Sequence, residues 1–545
     1  MDDSFSAMPD TPAAPPALRL AAIDIGTNSI RLVVAEVQPD GGYSMLAEER
    51  EMTRLGHGLF DRGRLTNDAM DRAIAALTKM KTIADGFGVA ELRAVATSAV
   101  REASNGRAFC QEVRRRCGLR VEVITGEEEA QLALRSATRH FDLDGRAVAI
   151  VDIGGGSMEV TLAAGPVVDE VVTLPLGAVR LTEAFGTDEA LSRKRWRKLR
   201  RAIDRTLAGQ IGRPVFRPEM MIGSGGTFTN LAELARAERG GSGRSIQGYA
   251  LSRADVVHTL RRLRTTPLAQ RRQIQGLNPK RADIIVAGAA AVARLAKWLG
   301  TGQILVNAGG VRDGLLLTMI AERLPGEQVE AARPKDRMES VRAFARKCRS
   351  NEPHCERVAL LAGQIFDGLH RRFEIPAEAR DLLVAAALMH DVGNVINHAK
   401  HHKHAYHLIL HGDFQGFSPR ETEVIANVAR YHRKAVPSRR HDGFALLDKS
   451  DRRLVRALAG ILRVADSLDR THTQRVTGVT GVVRGAQIRL EVAAATDPQV
   501  EIWDAERRSG LFEIAFGSAP RMAWRRDDAT QRATARTPLR LAAAG

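Results

Sequence analysis

The chain has 545 residues and a formal net charge of +17. That length exceeds a single hydrophobic core and implies about three or four domains, while the charge implies an acidic partner: nucleic acid, anionic lipid or a polyanionic substrate. No apolar run approaches the roughly 18 to 20 residues of a transmembrane helix, and the start MDDSFSAMPDTPAAPPALRL lacks the basic and apolar regions of a signal peptide.

In chain order, residues 1–17 read as a disordered tail. Leu18 to Val37 reads as two strands around a turn at Gly26 to Ser29, and Thr66 to Phe87 as a helix opening on a Thr-Asn-Asp cap. Leu92 to Thr97 is a short strand leading into a helix at Ser98. Val121 to Ile124 is another, which Thr125-Gly126 turns into a helix beginning Glu127-Glu128-Glu129. A second half opens at Ala147 to Ile153 and contains MIGSGGTFTNLAEL (Met221 to Leu234) and ILVNAGGVRDGLLL (Ile304 to Leu317). Strands alternating with helices predict an α/β fold. Beyond Arg323, LPGE and ARPK mark a linker, and the pattern to about Asp469 is helical. Val476 to about Phe516, including LFEIAFG, predicts a small β unit followed by a loose tail. Cys110 and Cys117, like Cys348 and Cys355, are spaced as neither a zinc knuckle nor a redox pair, and are expected to be reduced thiols of a cytosolic protein. The densest basic patch, Ser192 to Arg205, has eight Lys/Arg and one Asp; it calls for a polyanion without specifying which.

One phrase is written twice. Ala21 to Val34 reads AAIDIGTNSIRLVV, and Ala149 to Leu162 reads AIVDIGGGSMEVTL; aligned without a gap, they share the Ala, the Asp-Ile-Gly and the Ser. Each has the form of a β-hairpin carrying a phosphate-binding loop. Asp24 and Asp152 end apolar strands facing those loops. Carboxylates beside a phosphate repel it, so their natural companion is Mg²⁺. Gly154, Gly155 and Gly156 let backbone N–H groups approach phosphate oxygens, and Thr27, Asn28, Ser29 and Ser157 add side-chain donors. A third Gly-rich turn at Gly223 to Thr227 brings Gly225 and Thr227 into the set. A carboxylate of the Glu127–Glu129 triplet could polarise a water for attack on phosphorus, and the Arg101 guanidinium could neutralise the phosphoryl group.

The phrases AAIDIGTNSIRLVV, ATSAVREA, ITGEEEAQLAL, VDIGGGSMEV, LPLGAVRLTE, MIGSGGT and GGVRDGLL, in this order and spacing, resemble the exopolyphosphatase/guanosine pentaphosphate phosphohydrolase family. The resemblance implies duplicated ribonuclease-H-like (actin/hexokinase-like) α/β domains over residues 18–140 and 141–322. It also implies removal of a terminal phosphate from inorganic polyphosphate, or of the 5′ phosphate of pppGpp, with water and Mg²⁺. By position it makes Glu129 the catalytic base and Arg101 the phosphate-contacting arginine. It puts Asp152, Gly154, Gly155, Ser157 and Glu159 on the second phosphate and metal loop, with Mg²⁺ near Asp152 and Glu159. Asp24, Thr27, Asn28 and Ser29 fall on the first loop. Met158 and Thr125 replace the family's commoner threonine and serine without removing a functional group. Family members are often homodimers.

Six of the fifteen histidines lie between His398 and His411. His390-Asp391, with His354 upstream and Asp466 downstream, makes the H…HD…D order of the HD phosphohydrolase fold, resembling the HD-like third domain of longer family members. These four are candidate ligands for an additional divalent metal. The preferred reading of this all-α domain, residues 336–475, is helical packing plus a basic polyphosphate track through Lys400, His401, Lys403, Arg433 and Lys434. The small β unit then takes residues 476–516 and the tail 517–545. The expectation is a cytoplasmic, Mg²⁺-dependent exopolyphosphatase acting on polyphosphate or pppGpp, with no membrane and no specific nucleic-acid partner. Its rivals are an ATP-dependent kinase or ATPase of the same fold and a non-catalytic polyanion- or alarmone-binding regulator.

Overall fold

The computed structural model describes residues 18–527 apart from 39–40, 142, 144, 165–166, 212–216, 240–244, 324–336 and 413–415. The expected N-terminal tail and the LPGE–ARPK linker lie outside the described residues. Two compact units emerge, one of residues up to 237 together with 250–333, the other of 238–249 together with 334 onward. Among the described residues, no helix is long and apolar enough to cross a membrane.

The first unit holds two sheets. Strands β1 (Leu18–Ile25), β2 (Ile30–Val37), β3 (Tyr43–Glu51), β4 (Glu91–Ala96) and β5 (Val121–Val123) stand in the order β3-β2-β1-β4-β5. Strands β6 (Ala147–Ile153), β7 (Met158–Ala164), β8 (Val167–Leu174), β9 (Met220–Ser224), β10 (Ala250–Ser252) and β11 (Gln303–Val306) stand in the order β10-β11-β9-β6-β7-β8. Apart from the added edge strand β10, the second order repeats the first. In both, an antiparallel three-strand meander is followed by two parallel strands.

β1 is a nearly continuous apolar run because both of its faces are covered. Ala21, Ile23 and Ile25 pack with Ile74 and Leu77 of the helix Asn67–Gly86, which Thr66 caps by accepting from Ala69 N at 3.3 Å. Leu20 and Ala22 on the other face pack with Val311, Leu315 and Met319 of the helix Val311–Arg323. That helix, expected in the second half, covers the first sheet. Conversely, the helix Gly126–His140, expected in the first half, places Leu134 and Ala137 with Val148, Ile150 and Ile222 of the second sheet. The boundary at residue 140/141 is corrected accordingly: each half lends its last helix to the other. The basic patch lies on the helix Arg193–Gln210, which buries Leu199, Ile203 and Leu207 at four-residue spacing.

The described residues of the second unit form mainly helices between Arg337 and Ser467 and then a three-stranded sheet. Here β12 (Val476–Arg484) pairs antiparallel with β13 (Gln487–Ala494), and β14 (Pro520–Arg526) pairs parallel with β13. Two expectations are corrected. LFEIAFG is a helix, Gly510–Phe516, burying Leu511, Phe512 and Phe516; Gly460 admits its backbone, since a Cβ there would stand 2.9 Å from Phe512 Cα. A short apolar run is ambiguous between strand and buried helix, and packing decides it. Residues 520–526, expected in the tail, are a strand, fastened by Trp524 Nε1 donating to Ala494 O at 3.1 Å.

Candidate active site

The two repeated phrases fold into hairpins with loops of one construction. Gly26 N donates to Ser29 O at 3.1 Å, and Gly154 N donates to Ser157 O at 3.1 Å. In the second loop every glycine carbonyl is held from behind. Gly154 O accepts from Ala178 N at 3.0 Å, Gly155 O from Val179 N at 2.8 Å, and Gly156 O from Arg180 Nε at 2.7 Å. A trans peptide points its N–H opposite its carbonyl. The N–H groups of Gly155, Gly156 and Ser157 therefore turn away from that support, on loop residues that line a cleft. In the first loop Thr27 O accepts from Gly56 N at 2.9 Å and Asn28 O from Arg54 N at 3.0 Å, which turns the N–H of Asn28 and Ser29 in the same sense. The loops face one another closely: a Cβ on Gly155 would stand 2.8 Å from Thr27 Cβ.

Asp24 and Asp152 end β1 and β6 on the faces covered by the exchanged helices. Asp152 lies between two glycines, of which Gly225 is short of room for a side chain and Gly310 is not. A Cβ on Gly225, whose φ is +95°, would stand 2.8 Å from Asp152 Oδ1, and one on Gly310 would stand 3.5 Å from Oδ2. Opposite Asp152 across the hairpin is Glu159, buried, with no hydrogen-bond partner on either carboxylate oxygen. Burial, with the charge of Asp24 adding, pushes the Asp152 carboxyl up to about 6, and burial pushes Glu159 up to about 8.

The exchanged helix Gly126–His140 supplies the third carboxylate. Thr125 Oγ1 accepts from Glu128 N, while Glu128 Oε2 accepts from Thr125 N at 2.7 Å, so Glu128 is spent on the capping box. One residue further round, Glu129 turns into the cleft and is buried. Burial first, then Glu159, Asp152 and Asp24, raise its pKa well above the ordinary carboxylate range; Arg101 opposes them. Arg101 Nη1 donates to Glu129 Oε2 at 3.2 Å and to Ile124 O at 2.8 Å.

Four arginines gather on the other side. Arg31 lies opposite Asp24 across the first hairpin, and Arg50 lies opposite Arg31 on β3. Arg312 donates to Glu48 Oε1 at 2.7 Å. Arg281 is buried, and its Nε has no partner. Burial, then the charges of Arg50 and Arg31, lower Arg281 well below the usual guanidinium range. Burial, then Arg31 and Arg312, bring Arg50 down to about 10. Asn28 Nδ2 is likewise buried without a partner. Guanidiniums that repel one another beside unused donors call for an anion, as unused carboxylate oxygens call for a cation.

Of the expected residues, Asp24, Thr27, Asn28, Ser29, Glu129, Asp152, Gly154, Gly155, Gly156, Ser157 and Gly225 line one cleft. Glu159 and Arg101 adjoin it through Asp152 and Glu129. Thr227 does not line it. Its side chain packs where Gly288 of the helix Ile285–Leu299 leaves room, and Gly226 takes its place at the wall. Arg31, Thr97, Ser98 and Arg281 also line the cleft and were not among the expected residues. Arg31 was visible within the first repeated phrase, whereas Arg281 sits in NPKR with no local signal.

In the second unit His354, His390, Asp391 and Asp466 come together. His354 Nε2 is 3.4 Å from Asp466 Oδ1, and His390 Nε2 is 3.6 Å from Asp391 Oδ1 and 3.7 Å from Asp466 Oδ1. Burial opposes the charged form of His354, yet Asp466 and Asp469 lift it to about 9. The same carboxylates that hold this proton would hold a metal cation. His401 leaves the expected basic track: it is buried, its Nε2 3.1 Å from Asp391 Oδ1, whereas Lys403 is exposed. Facing a carboxylate at the start of its helix, the ring is held inward.

Known proteins match successive parts of the chain. The profile of the Ppx/GppA phosphatase family matches residues 33–323, and that of Ppx/GppA phosphatase, domain III, matches residues 337–497. Exopolyphosphatase 1 of Mycobacterium leprae is 30% identical over 316 residues, spanning 57% of this chain and 91% of that protein. The crystal structure of an exopolyphosphatase from Cytophaga hutchinsonii aligns with a TM-score of 0.53 at 28% identity, covering 56% of this chain and 98% of that one. The Aquifex aeolicus Ppx/GppA family member aligns with a TM-score of 0.49 at 30% identity, covering 56% and 99%. The duplicated sheets, the facing phosphate-type loops and the profiles along the chain all agree: this protein belongs to the Ppx/GppA phosphatase family.

Proposed function

We propose that the chain is an exopolyphosphatase that hydrolyses the terminal anhydride of inorganic polyphosphate, with the 5′ end of pppGpp as a second substrate of the same chemistry. The observation that carries this reading is one cleft where Glu129 and Asp152, with Glu159 behind, meet loop N–H groups and the arginines Arg31 and Arg281. A terminal phosphate in that cleft meets the donors and the base together.

Asp152 and Glu159 fit a hard divalent cation, because Glu159 keeps both oxygens unused in a buried position. Mg²⁺ held there would neutralise the paired carboxylates, favour the ionised form of Glu129 and offset the charge of the terminal phosphate. The chain's own residues do the rest. The N–H groups of Gly155, Gly156 and Ser157 hold non-bridging oxygens in place, and Arg101 fixes the Glu129 carboxylate through its 3.2 Å bond. Glu129 takes a proton from water as the water oxygen bonds to the terminal phosphorus. The P–O bond to the bridging oxygen breaks, releasing orthophosphate and a chain one unit shorter. Positioning and charge neutralisation supply most of the acceleration. Arg31, Arg281 and Arg312 hold the charge of the following phosphates.

In the helical unit, the convergence of His354, His390, Asp391 and Asp466 supports an HD-type site for a divalent cation. The test of the main reading is orthophosphate release from long-chain polyphosphate with Mg²⁺ and no nucleotide. Release supports the hydrolase; a strict need for ADP or ATP would identify a kinase or ATPase, and no turnover a binding protein.

A further inference from the structure

We propose that Asp313 is a positioning residue for the base: through Ser136 and Asn307 it fixes the helix that carries Glu129 against the strand ends beside Asp152. This rests on reading Glu129 as the base of the first unit's cleft. Asp313 itself is 8% exposed and does not line that cleft.

Three donors converge on its carboxylate. Tyr43 of β3 donates its hydroxyl to Oδ1 at 2.9 Å, Ser136 donates to Oδ2 at 2.9 Å, and His140 Nε2 lies 3.5 Å from Oδ2. Burial opposes the charge, yet His140, Ser136 and Tyr43 hold the carboxyl below its usual range. An ionised carboxylate can only accept, so the Ser136 proton points to Asp313 and its lone pairs face elsewhere. They accept from Asn307 Nδ2 at 3.0 Å, and the same amide nitrogen donates to Ser224 Oγ at 3.1 Å. Ser136, Asn307 and Ser224 are fully buried, where a lost partner is costly.

This run of bonds joins the backbones that carry Glu129 and Asp152. Glu129 and Ser136 are seven residues apart on the helix Gly126–His140, so they share one face, about 10 Å apart along the axis. His140 continues that stripe by one turn. Ser224 ends β9, in register with Asp152 on β6. Asn307 follows β11, and its N–H donates to Gly223 O at 2.9 Å. The joint has no slack. A Cβ on Gly309 would stand 2.5 Å from Ser136 Oγ and 2.8 Å from Asp313 Oδ2, and one on Gly314 would collide with Leu132 O. Tyr43 anchors the run to the first sheet, so the helix lent to the second sheet is fixed to both. A base moved by about 1 Å can cost on the order of 100-fold in rate. The loop N–H groups and arginines proposed to hold phosphate lie outside the run.

The test is a double-mutant cycle on orthophosphate release from polyphosphate by the full chain at saturating Mg²⁺. Asp313→Asn should lower kcat by about 10- to 100-fold, with KM for polyphosphate within about twofold of the wild type. In the Glu129→Gln background no base is left to position, and the same substitution should change kcat by less than about twofold. A residue that only holds the fold together lowers both backgrounds alike. Equal falls therefore overturn the proposal, as does an unchanged kcat in folded Asp313→Asn. An undiminished kcat in Glu129→Gln alone overturns instead the reading of the base, which keeps the two failures apart. Ser136→Ala deletes only the bridging hydroxyl and should repeat the pattern; where Asp313→Asn does not fold, that cycle decides by the same criterion.

Discussion

Arg31 and Glu159 hold the same place in the two halves, each directly across its hairpin from the strand-end aspartate: Arg31 from Asp24, Glu159 from Asp152. Duplication produced two similar loops, and one reversal of charge made their duties different. The first hairpin pairs opposite charges and adds arginines around them; the second pairs like charges and leaves carboxylate oxygens unused. The first hairpin is suited to the substrate anion, while the second sets a cation's ligands beside its own loop N–H groups.

The division can be tested by exchange of function. Glu159→Gln should raise the Mg²⁺ concentration needed for half-maximal phosphate release by about 10- to 100-fold, the usual range for losing support at a metal site. Arg31→Met should leave that Mg²⁺ requirement nearly unchanged and raise KM for polyphosphate. Mg²⁺ and substrate titrations of the two variants check both.

Stability should follow pH in a particular sense. Asp152 and Glu159 are raised, to about 6 and about 8, so the native state binds protons more tightly than the unfolded chain. Between about pH 4 and about pH 8 the native state therefore holds more protons, and stability falls as pH rises. Thermal unfolding of metal-free protein should show a falling Tm over that window, a shallower fall in Glu159→Gln, and a Mg²⁺-induced rise larger at pH 8 than at pH 5. A Mg²⁺ effect independent of pH would contradict this.

Two glycine substitutions should part stability from activity. A Cβ on Gly177 would collide with backbone of Gly155 and Gly156, and backbone cannot step aside. Gly177→Ala should lower Tm by several degrees, corresponding to roughly 1 to 3 kcal/mol of overpacking. The atoms nearest a Cβ on Gly226 belong to the tip of the Arg281 side chain rather than to backbone. Gly226→Ala should leave Tm nearly unchanged but displace the guanidinium and raise KM for polyphosphate. Calorimetry with steady-state kinetics separates the two.

Arg180 acts through the loop rather than on substrate, holding Gly156 O at 2.7 Å while its guanidinium stacks 3.9 Å from the Phe60 ring centre. Arg180→Met keeps most of the packing and loses the bond. It should reduce kcat by roughly tenfold, less than the 100-fold or more of a donor in direct contact, with KM little changed.

The repeated hairpins were legible because their information is local: an apolar run, an Asp, a four-residue turn and a second run. Glu129 was reached through the family resemblance, because the triplet alone does not say which carboxylate turns inward; the structure spends Glu128 on the capping box and turns Glu129 into the cleft. Arg281 was not legible. It reaches its cluster through packing of distant segments, and a single Arg has no periodicity to betray it. The exchange of helices was hidden for the same reason. Leu315 and Leu134 look equally suited to either sheet, and only three-dimensional closure decides which they cover. LFEIAFG was misread because seven residues support either period, and Gly460 settled the outcome from elsewhere in the chain.

The central claim is that Glu129 takes the proton from the attacking water. The most direct test is orthophosphate release from long-chain polyphosphate by Glu129→Gln at saturating Mg²⁺, with polyphosphate binding measured alongside. Loss of the base should lower kcat by about 100- to 10,000-fold while binding persists. Unchanged kcat in a folded, polyphosphate-binding variant would contradict the mechanism.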